Sequence, residues 1–317
     1  MENIKIISTG KYLPKNKITN EELEEKLNLE KNFIEKRTGI KIRYYAKEES
    51  IKELAIKATN NLLQKELNKK NLAEKIDLII VATTTPESYM PGISNYIQKE
   101  FNLKNANCID ILAGCNGYVA AFDIAITYMQ AKKAKKALII GADKLSEYTD
   151  EKDINTSIIL SDGAGATLIE AKETNSKDIL QNIMSNIKSN STNCEILKSQ
   201  KDTKIYMNGK EIYKYAVTET IANIKELMQK SNEKLENIKY IIPHQSNKKI
   251  IKSIASRLKI KEEKIYTNIE KVGNTFCASI PIALDDLIEK NELKEGDKII
   301  LLGYGGGLNT GSILLTI

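Results

Sequence analysis

The chain has 317 residues, 41% of them hydrophobic and 28% charged, with a formal net charge of +6 at pH 7. That is the profile of an ordinary soluble globular protein, long enough to bury a large core and to form two domains or halves. No apolar run reaches membrane-span length and no basic stripe is interleaved with aromatics, so neither a membrane protein nor a nucleic-acid binder is expected; an acidic partner suits the charge.

The opening stretch MENIKIISTGKYLP has no charged-then-apolar signal layout and reads as a strand over Ile4 to Ser8. Thr19-Asn-Glu-Glu22 has capping-box spacing and opens a charged helix. Ile51 to Leu67 is an amphipathic helix, and Asp77 to Ala82 (DLIIVA) is a continuous apolar run typical of a strand covered on both faces. A loop with Pro86, Pro91 and Gly92 leads into another helix. Asn107 to Ala131 then gives a short strand, a turn at Gly114, and a helix whose only charge is Asp123. A helix apolar nearly all round is a buried one. Covered strands follow at Ala137 to Gly141 and Ala166 to Glu170. The later part repeats this order: a long helix over Glu211 to Gln229, a strand at Lys239 to Ile242, a helix from about Asn247, the segment VGNTFCASIPIALDDLIEK, and strands at Lys298 to Leu302 and Ser312 to Ile317.

Spacing supports a duplication. Ile79 to Ile241 is 162 residues, and so is Cys115 to Cys277. Two similar α/β halves are expected, 1–172 and 173–317, packed closely because no low-complexity linker divides them.

In open α/β sheets, reacting groups gather beyond the carboxyl ends of the strands. Cys115 follows one strand and opens a helix, where unpaired amides and the helix dipole favour a thiolate; the alternative is a small core cysteine. The single histidine, His244, directly follows a strand in Pro243-His-Gln-Ser-Asn247. Asn274 lies in the loop before the helix that matches the Cys115 helix, although beside Gly273 it also fits an ordinary turn. A twofold arrangement of the halves would bring these three together. A thiolate accepts an acyl group, while an imidazole and an amide can donate to a thioester carbonyl as it becomes an enolate. The glycine run Gly303 to Gly307 places backbone amides where they can approach a reacting carbonyl, or is a tight bend. Ser161 to Ala166 (SDGAGA) runs into a strand and reads as a structural turn, and Cys277 as core filler. Lys248, Lys249, Lys252 and Arg257 form a solvated helix face or a dock for an acidic partner. The four cysteines include no CxxC pair and no zinc-spaced cluster, so no metal is expected and reduced thiols in the cytoplasm are the simplest account.

Together these segments resemble the 3-oxoacyl-[acyl-carrier-protein] synthase III family of condensing enzymes. The likeness covers almost the whole chain and rests on GKYLPKNKITNEELE, FIEKRTGIKIRYY, LIIVATTTPESYMPG, DILAGCNGYVAAFDIA, IILSDGAGA, IIPHQSN, VGNTFCASIPIALDDL and GYGGGLNTGS. It implies a five-layer αβαβα thiolase-like fold, a homodimer, and a decarboxylating Claisen condensation between an acyl-coenzyme A primer and malonyl-acyl carrier protein. It further implies that Cys115 carries the acyl group, that His244 and Asn274 stabilise the enolate, and that the amides of Cys115 and Gly306 form the oxyanion hole. Lys214, Lys249 and Arg257 would meet the acidic carrier, and no metal or redox cofactor would be needed. Arg37 is retained from the family's coenzyme clamp, whereas Phe33 stands where tryptophan is common and Ile154 where arginine is common. Losing that cation removes roughly 0.5–2 kcal/mol of stacking. The loop around Met90 would set acyl length across a dimer. Elongating synthases resemble a Cys-His-His arrangement, which one histidine cannot supply.

Overall fold

The computed structural model describes residues 2–65, 75–173, 183–199 and 203–317. Strand β1 (Glu2–Tyr12) leads to a small antiparallel pair, β2 (Lys17–Thr19) and β3 (Ile42–Tyr44), which encloses helices α1 (Asn20–Lys26) and α2 (Phe33–Thr38). Thr19 does cap α1, in a reciprocal box with Glu22. Helix α3 (Ile51–Gln64) has the same device, Ser50 with Glu53; Leu67, the expected end of this helix, lies outside the described residues. Then come β4 (Leu78–Ala82), α4 (Ile93–Glu100), β5 (Asn107–Ile111), α5 (Gly117–Gln130), β6 (Lys136–Asp143) and β7 (Gly163–Glu173). After β8 (Ile183–Ser189) and the short pair β9 (Leu197–Lys198) and β10 (Tyr206–Met207), the chain runs through α6 (Gly209–Ser231), β11 (Ile238–Pro243), α7 (Lys248–Leu258), α8 (Ile269–Val272), α9 (Ser279–Glu289), β12 (Lys298–Gly305) and β13 (Asn309–Thr316).

Two sheets result, of order β1-β7-β6-β4-β5 and β11-β12-β13-β8. In the first, β4 is parallel to β5 and β6 while β7 is antiparallel to β6; in the second, β11 is parallel to β12 and β13 antiparallel to it. The 162-residue offset is carried into three dimensions. It relates β6 to β12 end for end, and the first residue of α5, Gly117, to that of α9, Ser279. Among the described residues the second sheet has no full counterpart of β5, and Ile241 pairs with Ile265 through an isolated parallel bridge.

Each sheet buries both faces, which is why its strands read as unbroken apolar runs. One face of the first sheet, with Ile79, Val81, Leu138 and Ile140, packs on α3 and α4. Its other face, with Ile80 and Ile139, meets Ile299, Leu301 and Ile313 of the second sheet across α5 and α9, through Tyr118, Phe122, Ala283 and Leu284. The outer face of the second sheet, with Ile300, Leu302 and Leu314, is covered by α6 and α7. Five layers follow, helix–sheet–helix–sheet–helix. The central helices are buried over most of their length, as the charge-poor sequence after Cys115 predicts, with Thr127, Gln130 and Glu289 exposed toward their C-terminal ends. Among the described residues no helix is long and apolar enough to cross a membrane.

Candidate active site

Cys115 sits in a three-ten turn, Gly114–Asn116, that feeds directly into α5. Gly114 makes this turn possible: its φ is +57°, and a Cβ there would lie 2.5 Å from the carbonyl oxygen of Gly306. The glycine run after β12 is thus wedged against the cysteine turn. Gly305 lies directly against the cysteine itself, since a Cβ on it would be 2.6 Å from Cys115 Cβ and 2.8 Å from Sγ. The backbone N–H groups of Gly306 and of Cys115 itself are directed at the sulfur. Two amide donors converging on one point can hold a negatively charged oxygen.

Burial works against the expected thiolate. Cys115 is 2% exposed, and burial pushes its thiol up to about 12 against the help of the Gly306 amide, with the charge of Asp143 adding to the rise. The turn and helix dipole are present, but loss of hydration outweighs them. Burial therefore favours the neutral thiol at Cys115.

His244 extends β11 by one hydrogen bond, its N–H donating to Leu302 O at 2.7 Å. The ring is buried, stacked edge-on with Tyr304 at 5.3 Å and Phe276 at 6.5 Å. Burial pushes its pKa down to about 3, so the imidazole is neutral at physiological pH. Asn274 is pinned between β-bridged neighbours: its N–H donates to Ile159 O and its carbonyl accepts from Ser161 N. Its Oδ1 accepts the Phe276 N–H at 3.1 Å, which turns the Nδ2 hydrogens the other way, free to donate.

Phe276 is the shared neighbour of all three groups. It touches the His244 ring and the Asn274 amide, and it packs with Cys115, Leu145, Leu160 and Ile205 in one small apolar cluster. Its φ of +43° is costly for an aromatic residue, strain that the packed surroundings hold in place. A cavity of about 400 Å³ reaches the cysteine and is lined by Cys115, Gly306, Leu112, Leu197, Ile205 and Phe276 among others. His244 and Asn274 both contact Phe276 but are not part of that lining. A second cavity of about 660 Å³ shares Thr84, Leu112 and Ser199 with the first and extends to Tyr89 and Lys204.

Phe276 is one residue that sequence reasoning passed over; a bulky side chain directly after Asn274-Thr275 was the available signal. Asp143 is another. Its buried carboxylate accepts from Thr84 N at 2.7 Å and Cys277 N at 2.9 Å, joining the cavity wall at Thr84 and Thr85 to the Asn274 turn. Cys277 donates to Gly114 O at 3.1 Å and is core, as expected. Among the described residues no group of three or more His, Cys, Asp or Glu side chains is placed to hold a metal ion.

The expected substrate contacts are distributed more widely. Arg37 lies over the Phe33 ring at 5.8 Å, on α2. Phe33 packs with Ile158 and Ile159, which follow the half-buried Ile154 in the same connecting segment, and none of Phe33, Arg37 and Ile154 lines the cysteine cavity. Met90 is 84% exposed, beside Tyr89 at 74%, with Leu112 at 67% on the cavity rim. Lys249 and Arg257 are exposed on α7, eight residues apart and so near one face. Lys214 is tied to Glu211 at 2.8 Å, and the adjacent Tyr213 hydroxyl meets Ser253 Oγ at 2.7 Å, joining α6 to α7.

Two sheets sandwiching paired central helices, with a buried cysteine at the first turn of one of them, define a condensing enzyme of the thiolase fold. The comparisons with known proteins narrow this. The 3-oxoacyl-[acyl-carrier-protein] synthase III model matches residues 109–188, and the model of that family's C-terminal part matches 228–317. The chain is 37% identical to a beta-ketoacyl-[acyl-carrier-protein] synthase III of Clostridium novyi, with 99% of each chain covered, and 41% identical to one of Aquifex aeolicus, with 98% of each covered. The crystal structure of 3-oxoacyl-[acyl-carrier-protein] synthase III from Aquifex aeolicus superposes with a TM-score of 0.92 at 39% identity, over 99% of this chain and 100% of that one. The chain belongs to the 3-oxoacyl-[acyl-carrier-protein] synthase III family.

Proposed function

We propose that the protein joins an acyl-coenzyme A primer, acetyl-coenzyme A in the simplest case, to malonyl-acyl carrier protein by decarboxylating Claisen condensation, the first step of fatty-acid synthesis. The observation that carries this reading is the cavity ending on Cys115 between two inward-facing amides. The Cys115 sulfur attacks the primer thioester, and coenzyme A leaves with the thiol proton. The malonyl thioester then loses CO2 by cleavage of its carboxyl carbon bond, and the electron pair passes to the thioester oxygen as an enolate. Asn274 Nδ2 and His244 donate to that oxygen. The enolate carbon attacks acyl-Cys115, whose oxyanion rests on the amides of Cys115 and Gly306. The sulfur leaves and recovers a proton from solvent. Each step places developing charge against a neutral donor, which suits a site too dry to keep a thiolate or an imidazolium at rest.

Coenzyme A and the carrier's phosphopantetheine arm enter as substrates, along the side where Phe33 and Arg37 stack. The carrier, an acidic protein, docks on Lys249 and Arg257, with Lys214 at the edge once it leaves Glu211. A second copy of the chain covers Tyr89, Met90 and Leu112 and closes the acyl end of the cavity in a cytoplasmic homodimer. Incubation with a panel of acyl-coenzyme A thioesters, followed by intact mass measurement, tests the reading. One acyl adduct is expected, absent in Cys115→Ala, and its loss on adding malonyl-acyl carrier protein with release of CO2. No adduct with any donor would refute it.

A further inference from the structure

The cavity that reaches Cys115 is walled unevenly. Ala113, Gly114 and Gly306 offer it little but backbone, and Thr84 and Thr85 are small and tied by their hydroxyls to the Asp143 carboxylate. Leu112 stands at the rim, 67% exposed. Phe276 is the one aromatic side chain among the described residues of this lining, and it is buried in one apolar cluster with Cys115, Leu145, Leu160 and Ile205. The turn that carries it is pinned residue by residue. Phe276 N–H donates to Asn274 Oδ1 at 3.1 Å, Cys277 N–H to Asp143 Oδ2 at 2.9 Å and Ala278 N–H to Thr275 O at 2.9 Å, while Phe276 O accepts from Ser279 Oγ at 2.8 Å. The ring is further met edge-on by the His244 ring. A close-packed surround of this kind resists a change of even one methylene. The φ of +43° is nonetheless strained for an aromatic residue, and strain held in place beside a nucleophile points to a function.

We propose that Phe276 is a specificity-determining residue whose ring limits the bulk of the acyl group next to the sulfur, so that Cys115 accepts straight-chain acyl groups over those branched beside the carbonyl. The inference rests on the condensing reading above and narrows its primer class. The first carbons of an acyl group on Cys115 fall within the cluster that Phe276 shares with the cysteine. A straight tail can run outward, because the cavity of about 400 Å³ continues past Leu112 into the larger one. A branch on the first carbon has no such outlet and must find its room at the ring. Loading itself is a thioester exchange: the bond from Cys115 sulfur to the acyl carbon forms, the coenzyme A sulfur–carbon bond breaks, and the thiol proton leaves with coenzyme A. Butyryl and isobutyryl groups contain the same atoms, so a difference between them in this exchange reports shape and not hydrophobicity.

The test measures loading of the full-length protein by intact mass, in separate incubations with butyryl- and isobutyryl-coenzyme A. The unmodified chain is expected to prefer butyryl. Phe276→Ala and Phe276→Gly should each raise the isobutyryl-to-butyryl rate ratio roughly tenfold, the scale on which an apolar pocket senses one misplaced methyl group. The glycine variant also relieves the strained φ, which guards against loss of the fold. A second probe does not depend on thioester chemistry. Iodoacetamide and 2-iodopropionamide differ by one methyl on the reacting carbon, and each forms a sulfur–carbon bond with loss of iodide and the thiol proton. On the Cys115 peptide the rate ratio of the branched to the unbranched reagent should rise in the same two variants; comparison with the unmodified chain cancels the reagents' own difference. Ratios unchanged in both variants, or equal loading of the two acyl groups by the unmodified chain, overturn the proposal. Should neither truncation fold, Phe276→Leu carries the same test with a smaller rise. Failure of every thioester to load, beside a shifted alkylation ratio, would instead strike the proposed reaction and leave the steric role of the ring standing.

Discussion

Replacing His244 by Asn should make the fold less sensitive to acid. Complete burial holds the imidazole down to about 3, whereas an exposed one in the unfolded chain titrates near 6.5. A group depressed in the folded state contributes stability that is fully present above its unfolded pKa and is lost as pH falls toward its folded pKa. The window here is therefore 6.5 down to about 3. At about pH 5 the unfolded chain has taken up the proton and the native chain has not, a difference of roughly 1.5 pH units. At about 1.4 kcal/mol per unit this is about 2 kcal/mol of stability lost between about pH 7 and about pH 5. No solvent-screening discount applies, because the ring is enclosed. Asn is neutral throughout and pays no such penalty. The assay is urea unfolding of both proteins at both pH values, reading the difference of differences. That comparison removes other groups common to both, such as Asp162, which burial raises to about 6 and which acts in the opposite direction. Parallel loss of stability in the two proteins would refute the reasoning and mean that water reaches the ring.

The buried thiol gives a second expectation. Alkylation of the Cys115 peptide by iodoacetamide should be slow at neutral pH and rise about tenfold per pH unit toward its pKa of about 12, whereas a rate that levels off near neutrality would show a thiolate after all. Gly305→Ala sets a methyl 2.6 Å from Cys115 Cβ, so a loss of about 1–3 kcal/mol in a chemical melt and no acyl adduct are expected; normal loading would mean that the two turns separate freely. Charge reversal at both Lys249 and Arg257 should raise the KM for malonyl-acyl carrier protein roughly tenfold at low salt while acyl loading from coenzyme A is unchanged. An unaltered KM would move the carrier to another face.

Much of the architecture is legible in the chain because it is written in local pattern. The unbroken apolar run at Asp77 to Ala82 specifies a strand covered on both faces, the capping boxes at Thr19 and Ser50 specify helix starts, and the 162-residue offset specifies which elements correspond. The order of Cys115, His244 and Asn274 along two repeated halves is likewise enough to name them as candidates. Other features have no local sign. The strand Ile183–Ser189 is half-exposed, without the apolar run that marks its neighbours. The protonation of Cys115 depends on how much water the surrounding layers exclude, a sum over residues distant in sequence, and that sum overrode the helix terminus. Lys214 looks like its basic neighbours until Glu211 is seen to hold it. The ring of His244 is held by a serine 35 positions away. Propensity and periodicity are properties of neighbours along the chain; hydration, orientation and proton position are properties of neighbours in space, and only the packed halves bring those together.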